Sequence, residues 1–76
     1  MSDNSVDHLV KMANQIAAGV PATSEEAKVE SAASHIEKFW TPLMKKQICQ
    51  FLDQGGEGLT SVAAKAVAQL DRVALQ

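Results

Sequence analysis

The chain reads as all-α, a small bundle of four short helices joined by short turns, and three observations carry that prediction. Its 76 residues are 46% hydrophobic but only 4% aromatic. Alanine supplies much of the apolar share, and alanine loses no side-chain entropy on entering a helix. Apolar residues recur at steps of three and four in four separate stretches, which is the spacing that lines one face of a helix. Between these stretches stand prolines, glycines and hydroxyl or carboxylate residues of the kinds that start and stop helices. One domain spanning residues 1–76 fits a chain this short, which hides only ~60% of the surface its unfolded form exposes. Residues 1–5 and 74–76 are expected to fray.

The first helix is predicted from about Val6 to Ala18, with Leu9, Val10, Ala13, Ile16 and Ala17 on its apolar side. Asp3, Asn4 and Ser5 offer capping oxygens ahead of it, and Gly19 followed by Pro21 supplies the stop. The second opens at Thr23-Ser24-Glu25-Glu26, where Thr23 and Glu26 have the reciprocal capping-box spacing. Two acids there suit the positive end of the helix. Its stripe is Val29, Ala32, Ala33, Ile36 and Trp40. Pro42 cannot donate to the preceding turn and pushes Thr41 out of the helical region, so this helix should end near Trp40. Thr41 as N-cap with Pro42 at the first position starts a third helix, which runs to about Asp53. Its stripe is Met44, Ile48, Phe51 and Leu52, with Lys45, Lys46, Gln50 and Asp53 turned outward. Gly55-Gly56-Glu57-Gly58 breaks it, and a fourth helix is predicted from Thr60 or Ser61 to Val73, with Leu70 among its apolar residues. Short connections predict that neighbouring helices turn back on one another.

A formal charge of −2 leaves no whole-chain electrostatic footprint for nucleic acid or anionic lipid. The apolar runs fall far short of the ~20 residues that span a bilayer. One cysteine makes no internal disulfide, and MSDNSVDHLVK lacks the basic start and apolar run of a signal peptide. A soluble chain in the cytoplasm is therefore the expectation. Chemistry is scarce: His8, His35 and Cys49 are the only ligands of their kinds, and none is spaced as a metal site. Cys49 falls about 110° from the stripe centre of its helix, as a partly covered, inert thiol would. GGEG lacks the strand before it and the Lys-Ser/Thr after it that a phosphate loop needs, so helix capping is its reading. No catalytic, cofactor-binding or metal-binding residues are assigned.

What remains is a surplus of large apolar side chains around one turn, HIEKFWTPLMKKQI. Trp40 lies about 30° from the stripe centre of its helix and Phe39 about 70°. Leu43 falls about 130° from that of the third helix, and Met12 about 90° from that of the first. The expected core is therefore Leu9, Ile16, Ile36, Trp40, Met44, Ile48, Phe51 and Leu70, while Met12, Phe39 and Leu43 are the candidate partner interface. Single exposed apolar residues are ordinary, but Phe39 and Leu43 flank the same turn, and a clustered patch marks a binding surface.

Three blocks in order, DHLVKMANQIAA (7–18), HIEKFWTPLMKKQI (35–48) and FLDQGGEGLTSVAAKAVAQL (51–70), resemble the delta subunit of the soluble, NAD-dependent, molybdenum-containing formate dehydrogenases. The family writes Asp-Pro-Arg-Met after Phe-Trp where this chain has Thr41, Pro42, Leu43 and Met44, so a family salt bridge at this turn does not carry over. The resemblance implies an accessory subunit without a cofactor of its own. Molybdopterin, iron–sulfur clusters and FMN are expected in partner subunits. The partner would be the large catalytic subunit, which this chain would stabilise, assemble or help to load with cofactor.

Two other classes compete with that reading. Helices three and four across a Gly-rich turn suggest a small helix-turn-helix DNA-binding protein, but Thr60–Leu70 holds only Lys65 as a cation. An independent enzyme is disfavoured by the inventory of side chains.

Overall fold

The structure is a computed structural model, which describes residues 5–70. Four helices appear among the described residues: α1 (Ser5–Gly19), α2 (Glu25–Phe39), α3 (Pro42–Asp53) and α4 (Ser61–Ala68). Ser5, expected to fray, begins α1. The expectations of fraying at 1–4 and 74–76 lie outside the described residues.

The helix starts are set by side-chain oxygens. Ser24, in an extended conformation, accepts the Ala27 N–H at 3.1 Å and is the cap of α2. The capping box read at Thr23 is thereby corrected, because a box on Ser24 would need Glu or Gln at position 27, which is Ala27. Thr41 accepts the Met44 N–H at 3.2 Å with Pro42 in the first turn of α3, and Thr60 accepts the Ala63 N–H at 3.2 Å. At the end of α3, Gly55 N–H donates to Leu52 O and Gly56 N–H to Phe51 O, each at 3.0 Å, the two bonds of a Schellman motif. Gly56 sits at φ +63°, and a Cβ there would meet Leu52 Cδ1 at 2.8 Å. Helix α4 ends at Ala68 among the described residues, where Gln69 and Leu70 donate to carbonyls three residues back and tighten the chain out of the α-helix; the expected end at Val73 lies outside the described residues.

Helix α1 packs against all three of the others, and α4 likewise touches α1, α2 and α3. Helices α2 and α3, consecutive in the chain, barely meet. The expected folding-back of neighbours therefore fails at this joint: Trp40 and Thr41 are both extended, and each helix finds its contacts on α1 and α4 instead. Much of the core consists of short side chains, Ala13 and Ala17 of α1, Ala32 and Ala33 of α2, and Ala63 and Ala66 of α4, interleaved with Leu9, Val29, Ile36, Ile48, Val67 and Leu70. Ile16, Met44 and Phe51, placed in the core by the sequence, are partly buried and pack against its edge. So is Met12, which the helical wheel turned to solvent.

Two residues of α3 depart from their expected positions. Cys49 is buried rather than partly covered, with Sγ 3.9 Å from Val67 O, because α3 faces both α1 and α4 and its buried arc is rotated toward that cysteine. Lys45 is tucked in rather than turned outward, its side chain 13% exposed beside Glu37. Asn14 ties the first helix to the last turn. Its Nδ2 donates to Gly58 O at 2.9 Å and its Oδ1 accepts the Thr60 N–H at 2.9 Å.

Candidate docking face at the second joint

Trp40 ends α2 by donating its N–H to Ile36 O at 3.0 Å, then leaves the helix in an extended conformation. Its indole is only 5% exposed. With Thr41 extended and Pro42 already inside α3, no residue is left to reorient the side chains on either side. Phe39 is 71% exposed and Leu43 64%, the two large hydrophobic residues most open to solvent among those described. Beside them runs a groove lined by Met12, Gln15 and Ile16 of α1, His35 and Phe39 of α2, and Trp40 and Met44 at the joint. Of the three interface candidates, Met12 and Phe39 thus share one groove. Leu43 stands outside its lining, on the exposed face of α3.

The corner is braced from within. Lys45 Nζ donates to Glu37 O at 3.2 Å and to Glu37 Oε1 at 3.1 Å, tying the first turn of α3 to the last turn of α2. The His35 and Phe39 rings lie with centroids 4.7 Å apart at a 37° tilt, so Phe39 stands against a neighbour one helical turn away. Across the molecule Lys65 of α4 pairs with Glu25 at the start of α2. The hydrogen bond from Lys65, with its positive charge, holds the Glu25 carboxyl below its ordinary value.

No group of three or more His, Cys, Asp or Glu is placed to hold a metal among the described residues. His8 and His35 are exposed while Cys49 is in the core, so the three candidate ligands are not gathered in one place. Helix α4, the would-be recognition helix, spans eight residues and its lysine is engaged by Glu25. No described helix is long and apolar enough to cross a membrane.

The arrangement defines a small helical protein with two exposed apolar side chains beside a groove at its second joint. The family profile of the NADH-dependent formate dehydrogenase delta subunit, FdsD, matches residues 8–67, and the chain belongs to that family. No curated protein and no solved structure among those compared matches it significantly. The matched span contains both the joint and Asn14, the residue that sequence reasoning missed; its only signal was a polar residue one helical turn from the apolar positions Val10 and Ala17.

Proposed function

We propose that this chain is a non-catalytic accessory subunit of an NAD-dependent formate dehydrogenase in the cytoplasm, docking on the large molybdenum-containing catalytic subunit through the Phe39–Leu43 corner. The observation that carries the reading is the exposure of these two side chains at one joint of a chain from a subunit family. Buried aromatic and aliphatic anchors supply most of the energy of an interface. A subunit that binds only the folded form of its partner stabilises it by mass action, about 2.7 kcal/mol at a free concentration one hundred times Kd. That is the physical content of a stabilising or assembling role, and it extends to holding the catalytic subunit ready for cofactor insertion. Molybdopterin, iron–sulfur clusters and FMN belong to the partner subunits in this reading.

The test is co-purification from the native host with the chain tagged. The expected result is recovery of the large formate dehydrogenase subunit with the unaltered chain and its loss with Leu43→Asp, which would leave an unpaired carboxylate in the joint. The Leu43→Asp chain should keep its helical circular dichroism and melting, since position 43 is already solvated. Normal assembly of the folded variant would remove this corner from the interface. The isolated chain should turn over no formate and hold no metal by elemental analysis.

A further inference from the structure

The formal charge of −2 is spread unevenly. Lys45 is engaged by Glu37 and Lys65 by Glu25. Lys38 and Lys46, both exposed, have no ion-pair partner among the described residues. Lys38 lines a shallow hollow on α2 with His35 and Phe39, and Glu30 closes its far end two turns away. Lys46 stands three residues beyond Leu43, the neighbouring position on the same exposed face of α3. Apart from Glu37, which Lys45 engages, the exposed acids of α2 and α3 lie further along those helices. Glu30 is eight residues from Lys38 and Asp53 seven from Lys46, or about 10–12 Å of helix, which exceeds the ~8 Å over which exposed charges act at physiological salt. An apolar corner with a cation on each side stands on a chain that is acidic overall.

We infer that the surface receiving this corner is apolar at its centre and rimmed by carboxylates, and that Lys38 and Lys46 steer the docking. The inference rests on the reading of the corner as the joint with the catalytic subunit. Charge at the rim of an interface sets encounter rate and orientation, while the desolvated centre sets lifetime. The same two lysines disfavour a second copy of this chain as the occupant, since a two-fold contact through this corner would bring like charges together.

The probe is the purified large catalytic subunit prepared without this chain, with association and dissociation rates measured across a range of salt. Association of the unaltered chain should slow as salt rises. The double variant Lys38→Glu/Lys46→Glu should associate about tenfold more slowly at low salt and lose the salt dependence. Its dissociation rate and thermal melting should hardly change. Salt-independent association, with the double variant binding normally and Leu43→Asp failing, would keep the joint and overturn the acidic rim. Normal binding by folded Leu43→Asp would overturn the joint and the inference together. So would a dimer of the free chain that Leu43→Asp dissolves.

Discussion

Between α2 and α3 the chain turns on two extended residues, Trp40 and Thr41, whereas between α3 and α4 it runs from Gln54 to Thr60 with three glycines at positive φ. The longer turn closes on itself. Its Schellman bonds satisfy the carbonyls ending α3, Gly56 is buried under Leu52, and Asn14 takes up a carbonyl and an N–H of the loop. The shorter turn has no slack to do this, so its flanking residues inherit the directions that α2 and α3 impose. Only Trp40 of its three large apolar residues goes inside. The comparison teaches that an abrupt joint is itself a way of making a surface: Pro42 fixes where the helices part, and Phe39 and Leu43 are left outside.

The largest effect expected from breaking this contrast is at Trp40. Trp40→Ala empties the inward side of the short joint and should cost about 3–5 kcal/mol, enough to unfold so small a domain, as read by loss of the cooperative melting transition. Gly56→Ala tests the long joint. A Cβ at φ +63° is strained and presses on Leu52 Cδ1, and chemical denaturation should show a loss of about 1–2 kcal/mol. Asn14→Ala removes two hydrogen bonds at a partly exposed site and should cost about 1 kcal/mol. Amide exchange at Thr60 should rise as well, and an unchanged rate there would show that the loop closes without its clamp.

The smallest effect lies away from both joints, at Glu25. Its carboxyl is held below the ordinary 4.5 by Lys65, so its contribution to stability is fully present above that value. The contribution fades as pH falls through the lower folded-state value. Both side chains are exposed and screened by salt. Glu25→Gln should therefore lower the melting temperature slightly at neutral pH and low salt, and the difference from the unaltered chain should close in acid or in concentrated salt.

The four helices were legible because their punctuation is local: Thr41-Pro42, Gly55-Gly56 and the Thr60 cap each act within a few residues. The exposure of Phe39 and Leu43 also followed from helical geometry at an abrupt joint. What the sequence hid depends on distant partners. Cys49 is buried because α3 meets two helices at once, so a single stripe centre misplaced its core face. Lys45 is tucked in because Glu37 and its carbonyl lie across the joint. Met12 packs against the core although the wheel of α1 alone turns it outward. Asn14 reaches carbonyl and amide groups 44 and 46 residues away, a bond that leaves no trace in any periodicity.

That separation has a consequence for how the chain comes into being. Helix α1 is made first, yet the partners of its Asn14 are among the last residues of the described fold to be added. At a synthesis rate of about 5–20 residues per second, Thr60 follows Asn14 by roughly two to nine seconds. For that interval Leu9, Ala13 and Ala17 lack the α4 surface that helps to cover them. The nascent chain therefore spends seconds as an incomplete bundle, and the turn before α4 locks only when its residues return to α1.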